Sequence, residues 1–257
     1  IYDRVDWPWM MNGRKIICMG WTPEEGFLPY YWDSYSEAMI LYALAIGSST
    51  HPIPAESWFE WSRAEDSYKD YKVIYCSTGS IFTYQYSHAW IDFRNLIENR
   101  TGTNYFENSV NAVKANREFC IDNSAQYKAY GENSWGLTAC IGPAGYKGYG
   151  AKPGDAVNDG TIAPTGMAGS IVFDCPNSIS GLKFLYDNYE KFLYGKYGFK
   201  DAFNLDKDWW AEEYLGIDVG IAVIMLENYR TGLVWEKFMD LEPIKKWISL
   251  CFNEKKA

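Results

Sequence analysis

Apolar residues return at helical spacing along most of this chain. Asp33 stands before the stretch 34–46 as an N-cap and Gly47 follows it as a stop, which predicts a helix of about three and a half turns. The same spacing predicts helices over 54–64, 87–99, 105–123, 164–173, 178–193, 216–229 and 242–252. Strand-like alternation is confined to short pieces at 15–19 and 73–75. Two helical stretches, EAMILYALAI beginning at Glu37 and VGIAVIML beginning at Val219, are apolar nearly all the way round. By contrast, 111–122 carries Lys114, Asn116, Arg117, Glu118 and Asp122 among its apolar positions. A helix of the first kind has to be surrounded by protein, and one of the second keeps a solvated face. Enclosed helices inside and half-solvated helices outside make a two-layered assembly, so the pattern predicts an all-α fold built as an α/α barrel. No repeat and no Ser/Pro/Gly linker divides the 257 residues, and they read as a single domain.

Composition sharpens this picture at the loops. The chain has 12 Trp, 21 Tyr and 13 Phe, 18% of its residues, and many fall beside Gly, Asn and Asp in the long loops 20–32, 130–160 and 197–214. Loops of that length in a compact domain usually carry function, and a ring with a flat apolar face and a polar tip suits a ligand that offers both. The net charge of −9 leaves no basic stripe for nucleic acid, and no apolar stretch reaches the length of a membrane span. The opening residues lack the basic start and apolar run of a signal peptide. Six cysteines stand singly with no C-x-x-C pair, which disfavours a metal site and suggests buried free thiols. With only His51 and His88 present, most Ser-His and Cys-His chemistry is excluded, and carboxylates are left as the candidates for catalysis.

Glu37 falls in the first turn of one enclosed helix, beside a loop holding Trp21, Tyr30, Tyr31 and Trp32. Aromatic walls would desolvate its charge and raise its pKa toward the range of a general acid; the alternative is an ordinary first-turn acid lowered by the helix dipole. Asp218, in LGIDVG, starts the other enclosed helix, either as an N-cap or as the second of two carboxylates facing one opening, the arrangement of an inverting glycosidase. Between residues 84 and 94 lie Gln85, Tyr86, His88, Trp90, Asp92 and Arg94, a mixture of flat faces and hydrogen-bonding tips suited to a sugar, or else core with a local Asp92–Arg94 pair. Trp135 in a Gly-rich loop reads as a stacking platform, and Glu227 with Arg230 as either cleft residues or a local pair three apart on one helix.

The segments GWTPEEGF, WDSYSEAMILYALAIGS, FTYQYSHAWIDFR, ENSWGLTA, DGTIAPTG, YGFKDAFN and LGIDVGIAVIMLENYRTGLVW, taken in order, resemble the glycoamylase-like domain of glycoside hydrolase family 144. That resemblance implies an (α/α)6 barrel that hydrolyses β-1,2-glucan by an inverting mechanism, without metal or organic cofactor, in the periplasm or outside the cell. It implies Glu37 as general acid, Asp218 as base or start of a water relay, and Glu25 as an alternative acid. It also implies Trp21, Gln85, Tyr86, His88, Asp92, Trp135, Glu227 and Arg230 along a cleft for an oligo- or polysaccharide. Twelve helices make such a barrel, and eight or nine are legible here. The chain is therefore expected to be the C-terminal, larger part, completed by an N-terminal segment or a second chain. Two other classes compete: a glycan-binding protein without turnover, and a polysaccharide lyase using His88 and Arg94.

Overall fold

The computed structural model describes residues 1–155 and 157–254. Its α-helices among those residues are α1 (Trp7–Met10), α2 (Met39–Gly47), α3 (Phe82–Gln85), α4 (Tyr105–Asp122), α5 (Pro164–Ala168), α6 (Cys175–Leu193), α7 (Gly216–Arg230), α8 (Leu233–Met239) and α9 (Glu242–Cys251). The longest are those the periodicity predicts. Asn104 caps α4 by accepting the Glu107 N–H at 2.9 Å, and Asp174 caps α6 by accepting that of Asn177. These two helices thus begin where a side chain satisfies an otherwise free backbone donor. Packing joins α2 to α9 and sets α5 between α6 and α7.

Elsewhere the chain departs from the pattern because side chains and distant backbone claim its groups. α2 starts at Met39, not at residue 34. Asp33 and Tyr35 are tied sideways to Ser62, whose N–H donates to the Asp33 carbonyl at 2.7 Å and whose carbonyl accepts the Tyr35 N–H at 3.1 Å. Backbone groups used in this way cannot enter the helical ladder. The helix predicted over 54–64 shrinks to a 3-10 stretch, Ala55–Phe59, after which Arg63 donates to the carbonyls of Trp58 and Trp61. The one predicted over 87–99 shrinks to Ser87–Ala89, and α5 stops at Ala168 instead of continuing to 173.

Strands are short: β1 (Trp21–Thr22), β2 (Gly26–Phe27), β3 (Glu65–Tyr68), β4 (Tyr71–Ile74), β5 (Leu96–Glu98), β6 (Ala139–Gly142), β7 (Gly145–Gly148), β8 (Thr161–Ile162), β9 (Tyr194–Gly195), β10 (Gly198–Phe199), β11 (Phe203–Asn204), β12 (Trp209–Trp210) and β13 (Phe252–Glu254). Adjacent strands pair as antiparallel hairpins, β11 lies between β12 and β8, and β13 closes on β5. The predicted strand at 73–75 lies within or beside β4, whereas 15–19 makes only the single bridge Cys18–Tyr31. The molecule is helix-rich and its sheets are minor, but those hairpins staple the three long loops. Ala156, inside one of them, lies outside the described residues.

Two aromatic-rich cores meet at Trp90 and Phe106. The first surrounds Trp58, whose ring meets Trp247 at 5.0 Å, Trp61 at 5.4 Å and Tyr105 at 5.9 Å. The second gathers Trp135, Leu137, Met167, Leu185, Phe203 and Met225. Here α5 lies directly on the preceding loop: a Cβ at Gly166 would come within 2.7 Å of the Gly136 carbonyl, and Gly136 itself sits at φ +100°. α7 is fixed at its far end by Asn228, which donates to the Ala89 carbonyl at 2.8 Å and accepts the Trp235 N–H at 3.1 Å. The expectation that α7 is enclosed on all sides is corrected here, because Ile217, Val223 and Leu226 are 53%, 57% and 39% exposed. No helix among the described residues is long and apolar enough to cross a membrane. All six cysteines are free, and five are buried.

Candidate active site

Two aspartates from separate segments face each other at the N-terminal end of α7. Asp218 lies in that helix's first turn, 3% exposed, with no hydrogen-bond donor reaching either carboxyl oxygen. Asp201, between β10 and β11, is fully buried; its Oδ2 accepts the Ile141 N–H of β6 at 2.7 Å and its Oδ1 has no donor. The two carboxyl groups face each other. Burial raises the Asp218 pKa to about 8, with the Asp201 charge and a hydrogen bond from the protonated Asp218 to Asp201 adding to it. Burial also raises Asp201, opposed by the Ile141 N–H and by the hydrogen bond from Asp218. As two anions the pair would be unsatisfied; a proton held between them gives each a partner. The α7 dipole favours the anion, and desolvation outweighs it.

Glu37 stands in the turn just before α2. Ser87 fixes that turn from a distant segment, accepting the Ile40 N–H at 3.0 Å and donating to the Glu37 carbonyl at 2.6 Å. The side chain of Glu37 is half-buried. The β6–β7 hairpin carries Tyr146 over this end of the molecule. Its phenol pKa is pushed up to about 12, by burial first and then by Asp218, Cys140, Asp201 and Glu37. All three acids act electrostatically on this one phenol.

The other predicted residues divide. Trp21 is 46% exposed on β1, its ring 5.8 Å from that of Trp9. Glu25 is exposed in the β1–β2 turn, and its N–H donates to Thr22. Tyr86 is half-buried against Phe82, with ring centroids 5.2 Å apart. Gln85, His88 and Trp135, expected along a cleft, are instead inside the protein. Gln85 donates to the Gly166 carbonyl and to Ser170, and Trp135 belongs to the second core. His88 is sealed among Phe93, Phe106 and Phe173 with Nε2 on Ser109, and burial lowers its pKa to about 3, so it cannot be the exposed base of a lyase. Asp92 and Arg94 pair with each other, at 2.6 Å, and Arg94 covers the Trp235 ring. Glu227 and Arg230 also pair locally, at 2.9 Å. Glu227 lies about 14 Å along the α7 axis from Asp218, so this pair is at the wrong end of the helix for the acids.

Sequence reasoning missed Asp201 and Tyr146. Asp201 sits in KDAFN, where the small and aromatic neighbours of a lone acid hint at burial. Nothing in GYKG distinguishes Tyr146 from the other loop tyrosines. Among the described residues no group of three or more His, Cys, Asp or Glu could hold a metal ion.

Comparison with known proteins gives a consistent set. The Glycoamylase family model matches residues 29–242. A curated relative, an exo β-1,2-glucooligosaccharide sophorohydrolase (non-reducing end) of Parabacteroides distasonis, is 30% identical over 96% of this chain and 38% of its own length. The solved endo-β-1,2-glucanase of Chitinophaga pinensis, in complex with sophorotriose and glucose, superposes with a TM-score of 0.91 at 31% identity, over 98% of this chain and 63% of that one. A β-1,2-glucanase structure from Parabacteroides distasonis superposes at 0.88 with 29% identity, over 97% of this chain and 39% of that one. The chain thus spans between about two-fifths and two-thirds of the length of these relatives.

Proposed function

This chain belongs to the glycoamylase family, and from that premise we propose that it forms the catalytic part of a β-1,2-glucan hydrolase. In this reading residues 1–257 are one glycoamylase-like unit. Glu37 protonates the leaving glycosidic oxygen, and the Asp201–Asp218 pair, whose oxygens are closed to bulk solvent, receives the proton of the attacking water through a relay of hydroxyl groups or water. A buried pair that holds one proton and one negative charge is a strong proton acceptor, because accepting a second proton removes a desolvated charge. With Asp218 locked against Asp201 it is a poor nucleophile, which favours direct attack by water and inversion at the anomeric carbon. The observation that carries the reading is the buried Asp201–Asp218 pair at the start of α7, with Glu37 and both aspartates acting electrostatically on the Tyr146 phenol. The β-1,2 linkage in the names of relatives that act as exo- and endo-enzymes supports the substrate.

The reading extends to the architecture. The fold is an (α/α)6 toroid, and helices from outside these 257 residues cover the exposed Val223 and Leu226 flank of α7. The larger size of the relatives supports this. A polymeric substrate places the protein in the periplasm or outside the cell. The test is product analysis on linear β-1,2-glucan with the full-length protein, reading the anomer first released by proton NMR. The expected result is sophoro-oligosaccharides released as the α-anomer, with release abolished by Glu37→Gln. Binding without cleavage, or release of the β-anomer, would overturn the reading.

A further inference from the structure

The aspartate pair is roofed by the β6–β7 hairpin. Ile141 and Tyr146 form one rung of it, and the Ile141 N–H grips Asp201 Oδ2 at 2.7 Å, so this rung is tied to the pair. Cys140, next on β6, is buried on the same strand, and the hairpin is pinned near its turn, where Gly142 meets the Tyr149 hydroxyl too closely to admit a Cβ. Both Asp218 oxygens are closed to solvent beneath this cover. Tyr146 is not: it is 55% exposed, belongs to neither aromatic core, and makes no ring contact or hydrogen bond among the described residues. The fold has no evident use for it, yet it sets a flat ring with a donor and acceptor tip opposite Ile141, on the rung whose backbone holds Asp201.

We propose that Tyr146 is a glucan-contacting residue: its hydroxyl hydrogen-bonds a hydroxyl of the sugar seated at the Asp201–Asp218 pair, and its ring covers that sugar's apolar face. A ring of this kind suits a saccharide, whose C–H faces are apolar and whose rim is polar. The electrostatic influence of Asp218, Asp201 and Glu37 on the phenol agrees with this placement, and keeps it protonated as a donor. Because Tyr146 takes no part in moving protons, it sets how tightly substrate is held and leaves the chemical step unchanged.

The assignment rests on the hydrolase reading, and the experiment separates the two. Full-length wild type, Tyr146→Phe and Tyr146→Ala are compared on linear β-1,2-glucan, with melting temperatures measured alongside. Tyr146→Ala raises KM about tenfold and Tyr146→Phe about threefold, while kcat stays within about twofold and the melting temperature is unchanged. An active wild type whose KM is untouched by Tyr146→Ala, or whose kcat falls at constant KM, overturns this assignment alone. A wild type that leaves the glucan uncut overturns the hydrolase reading and the assignment with it.

Discussion

Two buried carboxyl groups in this protein are treated in opposite ways. Glu98, in the first core, is 1% exposed and surrounded by donors: its Oε1 accepts from Trp58 Nε1 at 2.7 Å, Tyr105 Oη at 2.7 Å and Arg63 Nη2 at 2.6 Å, and its Oε2 accepts from Thr101. Asp218, in the second region, is 3% exposed, has no donor on either oxygen and faces the Asp201 carboxyl. The first arrangement neutralises a buried charge with a cation and ordinary hydrogen bonds, and holds β5, α4 and the 55–63 segment together. The second leaves a charge poorly solvated, which destabilises the fold and raises the proton affinity of the group. A carboxyl completed like Glu98 holds segments together; one left incomplete like Asp218 has its proton affinity raised.

That contrast is broken most severely from the Asp218 side. Asp218→Asn keeps the shape and removes the titrating group, so kcat/KM on β-1,2-glucan falls by about a thousandfold with the far-UV spectrum unchanged. From the Glu98 side, Arg63→Ala leaves a buried anion without its cation and lowers stability by about 3–5 kcal/mol, or a melting temperature lower by about 10 °C, with kcat per folded molecule preserved. Thermal unfolding and assays below the transition distinguish the two effects.

A smaller effect sharpens the comparison through pH. The Asp218 pKa is raised on folding, from 3.8 to about 8, so its protonated form contributes stability that is complete below about pH 4 and is lost as pH rises through about 8. Asp218→Asn escapes that loss. It is therefore more stable than wild type at pH 8 and nearly equal to it at pH 4, in urea titrations at the two pH values. Equal stabilities at pH 8 would mean that Asp218 is solvated after all. The smallest effect belongs to the exposed Glu227–Arg230 pair at the far end of α7: Glu227→Ala changes kcat/KM by less than about twofold.

How far the sequence reaches follows the same division between local and distant causes. α4, α6, α7 and α9 are legible because their apolar periodicity is a local signal, although α6 starts at Cys175, three residues before the position the pattern predicts. The start of α2 is not, because Ser62 and Ser87 determine it from distant segments. Asp218 and Glu37 stand out as acids at the edges of apolar helices, but the partner of Asp218 comes from a loop whose burial depends on the hairpin above it. Gln85, His88 and Trp135 have the side chains a sugar cleft needs, and the chain uses them inside the core. Side-chain chemistry is written in the sequence, whereas the direction a residue faces in a region of turns is set by packing.

The central claim, that Asp218 keeps a proton against Asp201 at neutral pH, is most directly tested by a carboxyl titration. Difference infrared spectra of wild type against Asp218→Asn, taken from pH 5 to 10, should contain a protonated-carboxyl C=O band that disappears near pH 8. No such band at pH 6, with Asp218 already ionised there, would contradict the account.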